Sequence, residues 1–169
     1  MPAQTVIDSL EFARAAQELR GSIPVTTLTR LRDCLSDTGG AVDFAVTGGR
    51  DEARRPVLTI EISGDLRLQC QRCLGALDYP LHLSSTLLLA HPGEDVSANA
   101  EDPEAPDCIE ASAELNVAAL VEDEILLSLP FAPRHPEKTC RRVPGMERED
   151  GKVSPFSRLA ELRQLRQKQ

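Results

Sequence analysis

Four side chains with metal-binding chemistry stand in two short motifs. Cys70 and Cys73 form a Cys-x-x-Cys pair within LQCQRCLG, and His135 and Cys140 are the ends of HPEKTC. Zinc in structural sites takes four ligands of the cysteine or histidine type. The two motifs supply that number, so they predict a structural zinc site with no open position for a catalytic water. Because Pro136 restricts the backbone of His135, the three cysteines are the primary ligands in this prediction.

The Cys-x-x-Cys pair has two other interpretations. A redox pair of the thioredoxin type should precede a helix in a β-α-β unit, whereas this pair lies between two predicted strands. Alternatively, the thiols are reduced and lie near one another without a metal. An odd number of cysteines argues against a disulfide framework. We expect Cys34 to be a small buried residue on a helix and Cys108 to be structural rather than reactive.

Three consecutive acids, Glu122, Asp123 and Glu124, offer oxygen ligands of the kind that bind Mg²⁺ in nucleases. The surrounding sequence predicts a helix, in which neighbouring residues are about 100° apart, so these carboxylates cannot converge on one ion without help. The favoured interpretation is an acidic face on which Glu122 and Asp123 bind a partner. The sequence shows neither a Walker-type glycine loop nor a G-x-S-x-G motif. Together these features predict that the protein is not an enzyme.

The elements that must position these residues follow from periodicity and end signals. Asp8 as a cap and Gly21 as a stop predict a helix over 8–21, and leucine spacing predicts a second helix over 26–40. Alternating apolar and polar residues predict three strands with short connections and one further short strand; they cover 41–48, 56–70, 76–90 and 108–111. Gly64, inside the second strand, predicts a β-bulge.

The strongest helix pattern comes after these strands. Asn116 is a good cap and Pro130 a good terminator, which predicts a helix at about 117–129 packed on the sheet. The predicted fold class is therefore α+β. It consists of an antiparallel β-meander, which could close into a barrel, with this packed helix and with helices at both ends of the chain.

The chain divides into a domain and a tail in this prediction. Residues 1–153 form a single α+β domain in which 91–107 is a mobile acidic loop. Residues 154–169 begin with Ser-Pro, a preferred helix start, and form a C-terminal basic amphipathic helix. Its polar positions include three arginines that we expect to bind a partner: Arg158, Arg163 and Arg166.

The net charge of −8 is unevenly distributed. Residues 73–133 hold 12 acidic residues and no lysine or arginine, whereas residues 134–169 hold 10 basic and 5 acidic residues. A surface that follows a nucleic-acid backbone needs clustered basic side chains, and only the last block has them. Only 3% of the residues are aromatic, so stacking on bases should be scarce. The pattern predicts a basic protein as the partner rather than bare nucleic acid.

No membrane partner is expected. The first residues lack the basic and apolar pattern of a signal peptide, and no apolar run approaches the roughly 18 residues that a membrane span needs. The expected location is cytoplasmic.

Four pieces of the sequence, in order, resemble the YceD family, also named large ribosomal RNA subunit accumulation proteins. They are LQCQRCLG, LVEDEILLSLPFAPRH, the later Cys140, and PFSRLAELR. The resemblance covers residues 41–169 well and the first helices more loosely. The matching positions are Cys70 and Cys73, the acidic helix 121–124, His135 and Cys140, and the terminal Pro155 and Phe156.

The resemblance implies a cytosolic, non-enzymatic ribosome-biogenesis factor that is needed for the synthesis, processing or stability of 23S rRNA. Combined with the charge pattern, it predicts binding to a basic ribosomal protein or an rRNA-processing enzyme. The rRNA would be contacted indirectly or through the basic C-terminal helix. Two alternatives stay open here: a metal-dependent ribonuclease that uses the acidic helix, and a zinc-stapled protein-interaction module unrelated to ribosomes.

Overall fold

The computed structural model describes residues 5–94, 106–136 and 139–140, and within them the protein is an α+β fold with more strand than helix. In chain order the elements are β1 (Val6–Ile7), α1 (Ser9–Arg14), β2 (Glu18–Pro24), β3 (Leu35–Asp37), β4 (Ala41–Arg50), β5 (Pro56–Gln69), β6 (Ala76–Ala90), β7 (Asp107–Glu110), β8 (Leu115–Asn116) and α2 (Val117–Ser128). Two 3-10 turns, Val25–Thr27 and Leu31–Cys34, join β2 to β3. The predicted fold class is confirmed at this level.

One sheet carries six of these strands. β2, β4, β5, β6 and β7 lie side by side in that order, and β3 pairs with the far end of β5. β4, β5 and β6 are antiparallel and joined by short turns, which confirms the predicted meander. β7, the predicted short strand, pairs parallel to the end of β6. In the described part of the chain β2 and β7 are the two ends of the sheet, so the sheet is not closed into a barrel.

The core lies between one face of the sheet and the two helices. Alternate residues of β5 are buried, as the sequence pattern predicted, and α1 packs on β4 and β5 while α2 packs on β5 and β6. The buried side chains form one apolar cluster that includes Phe12, Val46, Leu58, Ile60, Ile62, Leu66, Leu68, Val121 and Ile125. Burial of each large apolar side chain contributes about 1.5–3 kcal/mol, so this cluster is the main stabilising term of the fold.

Gly64 does not form the predicted β-bulge. The pairing register runs without a break from Val42 through Gly64 to Leu81 across the three central strands. A Cβ at Gly64 would lie 3.1 Å from Cγ1 of Val42 and 3.2 Å from the carbonyl oxygen of Ala41. The glycine therefore permits close packing within a regular strand.

A tighter approach occurs at Gly48, where α1 rests on β4. A Cβ at Gly48 would lie 2.4 Å from the carbonyl oxygen of Phe12 and 2.8 Å from Cα of Ala13, both backbone atoms. We expect Gly48→Ala to lower the free energy of unfolding by about 3 kcal/mol, at the upper end of overpacking costs. Urea unfolding measures the change. Gly49→Ala is the matched control, because its Cβ would meet its nearest atom at 3.9 Å, and equal losses in both variants would contradict the account.

The predicted first helix is too long. Asp8 caps it as expected, since its side chain accepts a hydrogen bond from Glu11 N–H at 2.9 Å. The helix nevertheless ends at Arg14, and the chain turns at Ala16, which has a φ of 48°. The residues that follow pair along their whole length with β4 as β2, so sheet hydrogen bonds replace the last turns of the predicted helix.

The predicted helix over 26–40 is wrong. Leu28 and Leu31 are buried as that prediction required, but Leu28 directly follows the first 3-10 turn and Leu31 begins the second. A spacing of three residues stacks side chains on one side of a 3-10 turn as well as on an α-helix, so periodicity did not separate the two. Cys34 is half-buried at the end of the second turn rather than buried on a helix.

The predicted helix at about 117–129 is confirmed as α2. The side chain of Asn116 accepts a hydrogen bond from Ala119 N–H at 3.1 Å, and the helix ends before Pro130. Leu127, predicted to face inward, is mostly exposed. Neither helix in the described residues is long and apolar enough to span a bilayer.

Several predictions fall outside the described residues. Of the acidic loop 91–107, the structure describes a turn at His91–Glu94 and then residues 106–107. The C-terminal helix 154–169 lies wholly outside the described residues. The same holds for its three arginines, Arg158, Arg163 and Arg166.

Candidate metal centre

The turn between β5 and β6 holds the first pair of ligands. It is closed by two backbone hydrogen bonds, one from Cys70 N–H to the carbonyl of Gly75 (2.9 Å) and one from Leu74 N–H to the carbonyl of Cys70 (2.8 Å). Leu74 has a φ of 56°, a left-handed conformation that non-glycine residues seldom adopt. This tight turn directs the sulfurs of Cys70 and Cys73 toward one point, as the position of the motif predicted.

The second pair of ligands comes from the segment after α2. The helix ends before Pro130, and the carbonyl of Pro133 then accepts a hydrogen bond from Gln71 N–H at 2.8 Å, which fixes the segment against the hairpin turn. Farther on, Cys140 N–H donates to the carbonyl of Pro136 at 3.2 Å. The helix therefore returns the chain to the hairpin and brings the two distant motifs together.

All four predicted ligands meet in one cluster, which we call the metal centre. The donor atoms of Cys70, Cys73, His135 and Cys140 lie within 4.8 Å of one another. Sγ of Cys70 is 3.9 Å from Sγ of Cys140, and Sγ of Cys73 is 3.4 Å from Nδ1 of His135. Bonds of about 2.3 Å in a tetrahedral zinc site place two sulfurs about 3.8 Å apart. The cluster could therefore hold one metal ion on four protein ligands.

His135 is oriented as a metal-binding histidine usually is. Its Nδ1 faces the sulfurs, while its Nε2 lies 2.7 Å from the carbonyl oxygen of Ala76 on β6. A histidine ligand normally donates its other ring N–H to a carbonyl or carboxylate, which fixes the tautomer and the ring plane. The Ala76 carbonyl, followed by the sulfurs of Cys70 and Cys73, raises the pKa of His135 above its usual range. The restriction imposed by Pro136 does not keep His135 out of the cluster.

The sulfur of Cys70 is prepared to carry negative charge. Burial alone raises the pKa of this thiol, but the backbone N–H groups of His135, Arg72 and Cys73 point at the sulfur and lower its pKa to about 5. The pKa of Cys140 moves the other way, to about 11, because burial and the nearby sulfurs of Cys73 and Cys70 oppose a further negative charge. A cation bound among these sulfurs would remove that opposition, because metal ligation favours thiolates.

The acids of α2 are used inside the protein. Glu122 is buried, and its Oε1 accepts hydrogen bonds from the backbone N–H groups of Arg30 (2.6 Å) and Leu31 (3.1 Å). Nε of Arg30 also lies 3.0 Å from Oε2 of Glu122, and the same guanidinium pairs with half-exposed Asp123. Asp123, then Glu122, raises the pKa of Arg30 above its usual value. The prediction that Glu122 points away from the protein interior is therefore wrong.

Glu124 faces a different part of the core. It is buried, and its Oε2 accepts a hydrogen bond from the hydroxyl of Ser85 on β6 at 2.6 Å. Glu122 and Asp123 thus share Arg30 as a partner, whereas Glu124 bonds to Ser85, so the three consecutive carboxylates do not converge on one site. The ribonuclease alternative is not favoured. The sequence held no signal for the Arg30 contact, because that residue lies 92 positions before Glu122.

The remaining two cysteines are not members of the ligand cluster. All five cysteines are free, and Cys34 and Cys108 are half-buried on other elements. They offer natural controls for any substitution among the ligands.

The similarity to known proteins extends over nearly the whole chain. A sequence profile described as "Large ribosomal RNA subunit accumulation protein YceD" matches residues 58–166. A large ribosomal RNA subunit accumulation protein YceD from Haemophilus influenzae (strain ATCC 51907 / DSM 11121 / KW20 / Rd) is 27% identical over 172 residues, which are 94% of this chain and 94% of that protein. No solved structure matches the chain significantly.

Proposed function

The chain belongs to the YceD family of large ribosomal RNA subunit accumulation proteins, and we propose that it supports the accumulation of 23S rRNA as a binding factor rather than as an enzyme. The observation that carries this proposal is the extent of the similarity. The family profile spans the hairpin turn, α2 and the His135–Cys140 segment, and the curated relative aligns over 94% of both chains. The family is named for the accumulation of an RNA and not for a reaction.

The metal centre fits a structural role in such a factor. Three cysteines and one histidine within 4.8 Å suit Zn²⁺, and four protein ligands fill a tetrahedral ion. A bound zinc ion would hold the hairpin turn and the segment after α2 as one unit, because each contributes two ligands. Its contribution would be to the folding of this end of the protein.

We also propose a basic ribosomal protein or rRNA-processing enzyme as a protein partner. With Glu122 internal, the support comes from half-exposed Asp123, from exposed Asp107 and Glu114, and from the acidic composition of 91–107. Electrostatic attraction of this kind accelerates encounter and weakens as salt rises. Crosslinking in cells tests it: the captured proteins should be basic, and capture of neutral or acidic proteins alone would contradict the proposal.

The accumulation role predicts a specific change in rRNA levels. Deletion of the gene for this chain should lower the ratio of 23S to 16S rRNA, and a plasmid copy of the wild-type gene should restore it. Since zinc would hold the two ligand segments together, Cys73→Ser should restore the ratio less well than the matched control Cys108→Ser. Total rRNA separated on a gel or counted by sequencing gives the measurement. An unchanged ratio in the deletion strain would contradict the proposed function.

A further inference from the structure

The end of the molecule that carries the metal centre presents two large apolar side chains to solvent. Phe131 is fully exposed in the segment after α2, and Leu74 is mostly exposed at the tip of the hairpin turn. By contrast Phe12, on α1, is buried in the core. An exposed aromatic ring offers a flat apolar face of the kind that stacks on nucleic-acid bases.

Two exposed arginines lie next to the hydrogen bond that joins the hairpin turn to the segment after α2. Gln71 N–H donates to the carbonyl of Pro133 at 2.8 Å. Arg72 follows Gln71 in the chain, and Arg134 follows Pro133. Both arginines are exposed, and neither forms an ion pair with another described residue. One backbone hydrogen bond and the ligand cluster therefore bring the backbones at Arg72 and Arg134 close together, and Pro133 lies two residues after Phe131.

Two carboxylates at this end of the sheet pair with a different arginine. Asp78 lies on β6 and Asp37 on β3, and each pairs with Arg67 of β5, at 3.6 Å and 3.1 Å. The net charge of the sequence also changes from negative to positive close to Arg134. The block without basic residues ends at 133, and the next nine residues hold Arg134, Lys138, Arg141 and Arg142 against the single acid Glu137.

We propose that this surface, defined by Arg72, Leu74, Phe131 and Arg134, binds single-stranded RNA directly. One base stacks on the ring of Phe131, and the two arginines contact the phosphates on either side. The inference deepens the proposed function and rests on it, because the RNA in question would be large-subunit rRNA in a single-stranded stretch. It replaces the expectation that rRNA is contacted only indirectly or through the C-terminal helix.

The metal centre supplies the rigidity that this binding needs. Arg72 lies between Cys70 and Cys73, and Arg134 directly precedes His135. Ordering of flexible side chains and loops on binding costs free energy, and a surface that is already fixed avoids much of that cost. The ligands thus position the binding residues without touching the RNA themselves.

Fluorescence anisotropy with a labelled single-stranded oligouridine RNA and the zinc-loaded full-length protein tests the inference. Loss of a stacking ring costs about 1–3 kcal/mol per base, so Phe131→Ala should weaken binding by about fivefold to 150-fold. Arg72→Ala with Arg134→Ala should also reduce the slope of log affinity against log salt by about 0.7 per arginine. Thermal unfolding of each variant checks that it is folded.

Two control proteins locate the site. Arg50→Ala with Arg54→Ala removes two exposed arginines at the other end of the β4–β5 hairpin, about 45 Å along the strand, and should leave binding unchanged. The second protein tests the competing site that the sequence suggested, the C-terminal arginines: Arg158→Gln, Arg163→Gln and Arg166→Gln in one protein. Absence of RNA binding by the wild type, or a loss of binding in either control equal to that in the Arg72 and Arg134 variant, would overturn the inference.

These outcomes are separate from the test of the proposed function. If oligouridine binding fails while deletion of the gene still lowers the 23S ratio, only the direct contact with RNA is overturned. If Phe131→Ala then abolishes crosslinking to a basic protein, the surface is a protein-binding site and the RNA assignment is wrong.

Discussion

Replacing Cys70 with serine is expected to remove stoichiometric zinc and to destabilise the end of the molecule that holds the metal centre. Cys70 is fully buried, and three backbone N–H groups direct their dipoles at its sulfur, so serine cannot reproduce the thiolate ligand. Structural zinc contributes roughly 10–16 kcal/mol in isolated zinc-finger peptides. This chain has an apolar core of its own, so we expect a smaller loss of several kcal/mol. Elemental analysis and chemical unfolding measure the two effects.

The chain provides matched controls for this experiment. Cys34→Ser and Cys108→Ser change the same atom at half-buried positions outside the metal centre and should retain about one zinc ion per chain. Cys73→Ser, at a less buried ligand, separates loss of metal from damage to the core. A wild-type protein that purifies without zinc and gains no stability when zinc is added would show that the cluster is only a group of reduced thiols.

Glu122→Ala is expected to be among the most destabilising single substitutions outside the apolar core. The side chain satisfies two backbone N–H groups, those of Arg30 and Leu31, and the latter lies in a buried environment. An unsatisfied buried donor costs about 1–3 kcal/mol, so we expect a total loss of about 3 kcal/mol in the free energy of unfolding. The ion pair with the half-exposed guanidinium should add little. Denaturant unfolding provides the measurement.

Asp123→Ala is the matched control on the same helix. Its carboxylate pairs with the same arginine but is half exposed, so its removal should cost less than about 1 kcal/mol. Glu122→Gln keeps one acceptor oxygen for the backbone donors and should fall between the two. If Asp123→Ala and Glu122→Ala cost the same, the Glu122 contacts are not structural, and a role in partner binding would again be the better account of that residue.

The internal use of Glu122 and Glu124 changes how the charge of the chain should be interpreted. A run of acids in a sequence does not show whether the carboxylates face a partner, because an arginine far away in the chain can neutralise them. Here Arg30 forms ion pairs with two of the three acids of α2, and Ser85 donates a hydrogen bond to the third. The acidic composition therefore overstates the negative surface of α2, and the exposed arginines beside the metal centre become the more informative charges.

The local parts of this protein were predictable from its sequence. Alternation identified β5 and β6, and partial alternation identified β4, because long stretches of these strands bury one face and expose the other. The caps Asp8 and Asn116 were confirmed because capping depends on a side chain and a backbone N–H only three residues apart. The identity of the four ligands was also a local matter, since cysteine and histidine in two short motifs limit the chemistry to metal or redox.

Features that depend on contacts between distant parts of the chain were decided only by the tertiary structure. The second half of the predicted first helix is the strand β2, which pairs with β4. Long-range sheet hydrogen bonds and burial outweigh helix propensity there. Cys70 and Cys140 meet at 3.9 Å although 70 residues separate them, and only the return of the chain through α2 brings this about. The sequence by itself determined which atoms could bind a metal. The packing of α2 and its following segment on the β5–β6 hairpin decided that these atoms meet. That convergence depends on contacts between distant parts of the chain, and neither part indicates the other in its sequence.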